Sequence, residues 1–250
     1  MSWGVPGAVS PQFSERFLCG MDSRALVTVD GQQLLPEVSQ AFAHLASAGA
    51  EEGFELVMAS AYRSFERQLH IWNGKLRGER PVLDQRDQPL SLSGMSPAAQ
   101  VAAVLRFSAL PGASRHHWGT DIDVFDAAAV SPDYRVQLCA AEVCEGGVFD
   151  PLHCWLDRCI ARGESFGFYR PYDRDRGGVA PERWHLSYAP LAQHCAARVT
   201  GSSLRRCWSG EPAAADFALR EHVDARLEEL LERFCGRVSD IPGYLLPGNP

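Results

Sequence analysis

Ser114-Arg-His-His-Trp-Gly-Thr-Asp-Ile-Asp123 gathers paired histidines, paired aspartates, a tryptophan and a glycine into ten residues. That is too polar for a core strand and too specific for a solvated loop. His116 and Asp123 stand seven apart, which does not place them on one helix face. Gly119 can make a turn between them. From Thr120 onward the alternation predicts a strand, with Asp121 and Asp123 on one face and Ile122 and Val124 on the other. A histidine before a turn and an aspartate on the strand after it can then converge on one metal ion.

Downstream, Pro181-Glu-Arg-Trp-His-Leu-Ser-Tyr188 supplies a second histidine, His185, with Glu182 three residues earlier. Two histidines and one carboxylate leave a zinc position open, the arrangement of a catalytic site. Zinc lowers the pKa of water from ~15.7 towards ~7 and polarises a carbonyl. Glu182 fits the remaining need, a general base that does not bind the metal. The plainer reading of the same residues is a satisfied His–Asp hydrogen bond, aspartates facing solvent and Trp184 as ordinary core.

Around these clusters the chain reads as one α+β domain with additions at both ends. Val38, Ala41, Phe42 and Leu45 follow a helical period after Pro36, and Gly49 can close that helix. Phe54–Ser60 predicts a buried strand, Phe65–Arg77 a helix, 78–94 an exposed loop and Ser96–Leu105 another helix. Asp150-Pro151 opens a helix with Leu152, Trp155, Leu156, Cys159 and Ile160 on one face. Phe166–Tyr169 and Arg183–Tyr188 predict two strands. A single long helix is expected from about Pro212 to Cys235. The resulting division is an N-terminal extension over 1–30, a main domain over 31–200 and a helical extension over 201–250 packed on that domain. The first thirty residues, lacking periodicity, read as an extended lead-in.

Composition sets the outer bounds. Hydrophobic residues make up 46% and charged residues 22%, the mix of a folded globular chain, which excludes disorder. The net charge of −7 offers no basic field for a phosphate backbone, so nucleic acid is not an expected partner. Lys75 is the sole lysine among 24 basic residues. No apolar run reaches the ~20 residues of a membrane span, and no signal peptide is visible, so a cytoplasmic location is expected. Eight cysteines contain no C-x-x-C pair, which argues against a zinc finger and leaves buried free thiols as the expectation. Cys154 and Cys159 lie ~140° apart around one helix and cannot bridge within it.

Ser-x-His-x-x-Gly-x-x-x-Asp followed by Glu-x-Trp-His resembles the zinc D-alanyl-D-alanine carboxypeptidases and dipeptidases of the VanY and VanX type. These are related to lysostaphin-like peptidases and the hedgehog domain. The resemblance extends to Ala61-Tyr-Arg-Ser-Phe-Glu-Arg-Gln68, Trp155-Leu156 and the Gly167-Phe168…Pro171-Tyr172 run, covering about residues 54 to 190. It implies a mainly antiparallel central sheet flanked by helices, of the hedgehog/DD-peptidase kind. It also implies one Zn2+ held by His116, Asp123 and His185, with Glu182 activating water and passing its proton to the leaving amine. Arg63 would stabilise the oxyanion, and Ser114, assisted by Gln68, would hold the substrate's terminal carboxylate. The implied substrate is a peptidoglycan-derived peptide losing its terminal D-Ala. Alternatives are an endopeptidase cutting an L-Ala–D-Glu bond and an inactive zinc-stabilised binding domain, against which the retained Glu182 counts. Asp121 stands where the family commonly has a small residue; it either orients a ligand histidine from behind or alters substrate preference.

Overall fold

The computed structural model describes residues 13–84 and 87–245. Helix α1 (Glu15–Leu18) leads into a ribbon of β1 (Val27–Val29) and β2 (Gln32–Leu34). Pro36 opens α2 (Pro36–Glu51), which buries Val38, Ala41, Phe42 and Leu45 as one stripe. Strand β3 (Leu56–Ser60) is followed by α3 (Phe65–Leu76) and α4 (Pro97–Leu105). Both helices begin at a serine, Ser64 and Ser96, whose hydroxyl accepts from a first-turn amide. Then come β4 (Asp121–Asp126), the short α5 (Ala140–Val143), α6 (Asp150–Arg162), β5 (Phe168–Tyr169), β6 (His185–Tyr188) and α7 (Ala189–Ala196). Helices α8 (Gly201–Gly210), α9 (Arg220–Ala225) and α10 (Leu227–Leu231) follow, and a π-helical turn over Glu232–Gly236 and a 3₁₀ turn over Gly243–Leu245 close the described chain.

Strands β3, β4, β6 and β5 lie side by side in that order, each pair antiparallel, so the α+β class and the antiparallel sheet flanked by helices are as expected. Alternation divides the sheet faces. Ile122, Val124 and Leu186 are fully buried against Phe42 and Leu45 of α2 and Leu152 and Leu156 of α6. Asp121, Asp123 and His185 occupy the other face. The register sets Asp123 opposite His185 and Asp121 opposite Ser187, which brings carboxylate and imidazole together across the strands.

A second core covers the far side. Phe65, Leu69 and Trp72 of α3 and Leu105 of α4 pack with Leu204, Trp208, Phe217, Leu227, Leu230 and Phe234 from the C-terminal segment. The single helix expected over 212–235 is broken here. Residues Pro212–Asp216 form a 3₁₀ turn, and α9 and α10 are separated at Arg226. At the first break Phe217 enters edge-on between Trp72 and Trp208 at 5.7 and 5.2 Å. Leaving the helix frees the carbonyls of Asp216 and Ala218 to accept from Asn73 Nδ2 and Trp72 Nε1 at 2.8 and 2.9 Å. The extended lead-in also needs correction from residue 13 onward. Phe13, Phe17 and Leu18 are buried in the main core, a cluster too short to show a period. Residues 1–12 lie outside the described part. All eight cysteines are free thiols, Cys154 and Cys159 among them.

Candidate metal centre

Residues Arg115–Trp118 form a 3₁₀ turn that ends at Gly119 with φ +63°. A side chain is unwelcome at Gly119, because a Cβ would sit 2.6 Å from Leu26 Cδ2 and 3.3 Å from the Leu35 amide nitrogen. The reversal at Gly119 turns His116 back over β4. His116 Nδ1 lies 2.8 Å from the Ala61 carbonyl, which can only accept. Nδ1 therefore carries the proton, and the Nε2 lone pair faces Asp123 Oδ2 at 3.4 Å.

His185 is oriented the opposite way. Its Nε2 donates to Asp121 Oδ1 at 2.9 Å, leaving Nδ1 towards Asp123 Oδ1 at 3.1 Å and Glu182 Oε2 at 3.7 Å. The 3.1 Å approach lacks hydrogen-bond alignment, and Asp123 Oδ1 stays buried without a partner. One ligand atom from each of His116, Asp123 and His185 lies within 4.8 Å of the others. Two buried nitrogens and an orphaned carboxylate oxygen that converge without satisfying one another fit a shared divalent cation.

Electrostatics in the metal-free protein agree with that fit. Burial pushes His116 down to about 4 and so keeps it neutral, although Asp123 opposes the shift. For His185 burial is outweighed by the hydrogen bond to Asp121 and by the charges of Asp121 and Asp123, which raise it to about 9. Its extra proton stands where a metal's charge would be needed, so metal binding must displace it. Glu182 is held beside the cluster by a backbone turn, in which its amide bonds the Tyr172 carbonyl and its carbonyl receives the His185 amide, each at 3.0 Å. Burial raises Glu182 to about 7, reinforced by Asp123 and opposed by His185, Arg63 and Lys75. A carboxyl poised there exchanges a proton readily at neutral pH.

Asp121 is completely buried and triply satisfied. It accepts from His185, from Arg115 Nε at 2.7 Å and from Thr120 Oγ1 at 2.6 Å. Burial alone would raise its pKa, but Arg115 and His185 hold it well below the carboxylate range. The sequence reading passed over Arg115, although it lies inside the motif. A second carboxylate on the same strand face as Asp123 needs a cation, and that requirement was the available signal. Arg115 also bonds Ser187 Oγ at 2.7 Å and lies 4.8 Å above the Trp118 ring. His117 takes no part in the cluster, since its Nδ1 donates to the Arg63 carbonyl and its Nε2 accepts the Gly112 amide.

Arg63, Ser114, His116, Asp123, Glu182 and His185 all line one cleft of about 320 Å³. Gln68 does not line it, contrary to the expected assistance in holding substrate. Its amide is fully buried and committed, accepting from Arg63 Nη1 at 2.9 Å and donating to Ser108 Oγ and the Ala109 carbonyl. It steers Arg63 instead. The Ser114 hydroxyl makes no capping bond to the turn that it precedes.

Comparison with known proteins extends the description. The family model VanY, D-alanyl-D-alanine carboxypeptidase, matches residues 31–191. An uncharacterized protein of Haemophilus influenzae is 31% identical over 124 residues, 49% of this chain and 92% of that relative. A D-alanyl-D-alanine carboxypeptidase of Enterococcus faecalis is 25% identical over 165 residues, 65% of this chain but only 50% of the relative. Among solved structures, a vancomycin-resistance D,D-pentapeptidase VanY in complex with Zn(II) is similar at 24% identity and TM-score 0.47, covering 68% of this chain and 82% of that one.

Proposed function

The chain belongs to the VanY family of D-alanyl-D-alanine carboxypeptidases, and from that premise we propose that it is a zinc-dependent D,D-carboxypeptidase removing the terminal D-Ala from peptidoglycan-derived peptides. The observation that carries this reading is a near-neutral carboxyl, Glu182, 3.7 Å from His185 in the cleft where three metal-competent donors converge. His116, Asp123 and His185 would hold the ion, which supplies water acidification and carbonyl polarisation. Glu182 takes the proton from water and returns it to the leaving amine, a role worth about 10²–10⁴ in rate. Arg63, fixed by Gln68, offers a preset cation to the developing oxyanion. Asp121 keeps the His185 ring oriented and is itself neutralised by Arg115. Ser114, with its hydroxyl free of the turn, is assigned to the substrate's terminal carboxylate.

An L-Ala–D-Glu endopeptidase is the second reading. It is favoured by a neighbouring cavity of about 460 Å³ that shares Lys75, Arg80 and Pro81 with the cleft and leaves room for a longer peptide. Zinc-loaded protein incubated with a pentapeptide ending in D-Ala-D-Ala separates the two by mass spectrometry. Release of one D-Ala supports the first reading; an internal cut replaces it with the second.

A further inference from the structure

Beside Arg115, which is paired with Asp121, the cleft wall carries three further cations, Arg63, Lys75 and Arg80. This concentration sits in a chain of net charge −7 whose only lysine is Lys75. Lys75 comes from the last turn of α3, where its Nζ donates to the Phe107 carbonyl at 3.1 Å, and it has no ion pair among the described residues. Arg80 follows the turn after α3, lays its aliphatic stem against Gly74, and likewise has no ion pair among the described residues. Elsewhere the arginines are extensively paired; Arg77, Arg106, Arg170 and Arg183 each meet a carboxylate. Burial lowers Lys75 to about 8, partly restored by Glu182 and lowered further by Arg63 and Arg80, so the three cations feel one another. Asp123 and Glu182 line the same cleft but do not pair with Lys75 or Arg80, so the gathered positive charge is relieved further when an anion enters.

We propose that Lys75 and Arg80 form an anion subsite that reads a carboxylate of the peptide substrate, separately from the Arg63 and Glu182 machinery. The proposal rests on the peptidase reading for the identity of the ligand. Lys75 and Arg80 are shared between the cleft and the adjoining cavity, so they stand where a peptide running out of the cleft must pass. The ligand class is therefore an anionic peptide. Its carboxylate is either the C-terminal one or an internal one left free by the peptide linkage.

The test measures equilibrium binding of three peptides to the zinc-loaded full chain carrying Glu182→Gln, in which turnover is suppressed: a stem pentapeptide ending in D-Ala-D-Ala, its C-terminal amide, and the version amidated at the internal carboxylate. Arg80→Met and Lys75→Met are compared with the parent chain, with Arg80→Met keeping the test open should Lys75→Met fail to fold. Each variant is expected to weaken the fully charged peptide about 10-fold, as loss of a charge-assisted contact does. That loss is expected to vanish for one amidated peptide, which identifies the carboxylate that is read. Equal weakening for all three peptides, no weakening, or no binding by the parent chain overturns the subsite. Cleavage is followed in parallel in the chain that keeps Glu182. Binding with the expected pattern but without hydrolysis sinks the peptidase reading and leaves the subsite standing.

Discussion

At the scale of single residues, the site depends on carboxylates held in unequal environments. Glu182 is expected to be dispensable for metal binding and required for turnover, so Glu182→Gln should bind one zinc and lose about 10²–10⁴ in kcat. Asp121 acts through His185. Asp121→Ala removes the acceptor for His185 Nε2 and strands the buried Arg115 guanidinium. Zinc affinity, read by competition with a chromophoric chelator, should drop about 10–100-fold. Stability should fall by about 3–5 kcal/mol, because one partner of a buried pair is gone. Unchanged zinc affinity in Asp121→Ala would remove its orienting role. That His116, Asp123, His185 and Glu182 meet in one cleft was legible because motif spacing and strand alternation reach that far. The true position of Gln68 was not, since a glutamine one helical turn into α3 reads the same whether it faces the cleft or lies behind Arg63.

At the scale of elements, the sheet was readable and the C-terminal helices were not. Strand β4 shows its two faces in plain alternation, Asp121 and Asp123 against Ile122 and Val124. Segment 212–235 has a clean helical stripe, yet Phe217 between two tryptophans and the diverted carbonyls of Asp216 and Ala218 win over local propensity. Trp208→Ala should therefore cost about 3–5 kcal/mol in chemical unfolding, as for a fully buried core tryptophan. Truncation after residue 200 would expose Trp72, Leu105 and their neighbours, and aggregated product is the expected outcome. A soluble truncated chain that still binds zinc would show that the second core is dispensable. The turn before β4 is similarly constrained. Gly119→Ala adds a Cβ at positive φ against Leu26 and Leu35 and should destabilise by at least about 1 kcal/mol.

For the molecule as a whole, buried titratable groups set the pH range of the metal-free state. His116, His117 and His153 are lowered by burial to about 4, 3 and 2. The unfolded chain takes up their three protons below about pH 6.5 while the fold refuses them, so stability is lost as pH falls through that value. Glu182 and His185 act in the opposite sense. The fold holds their protons up to about 7 and about 9, so the stability they contribute is lost as pH rises. Three groups outweigh one on the acid side, and His185 dominates above neutrality. The melting temperature of chelator-treated protein should peak near pH 6.5, and His153→Leu should flatten the acid limb. Zinc should abolish the alkaline limb, since it replaces the His185 proton. The same two-core architecture places the proposed metal donors on the polar sheet face and Glu182 beside them, and the most direct test of that proposal reads zinc content and turnover in the same samples. Parent chain, Glu182→Gln and His185→Ala are each assayed on a pentapeptide ending in D-Ala-D-Ala. One zinc with D-Ala release in the parent, one zinc without release in Glu182→Gln, and neither in His185→Ala is the expected pattern. Release that survives in Glu182→Gln, or in protein stripped of metal, would contradict it.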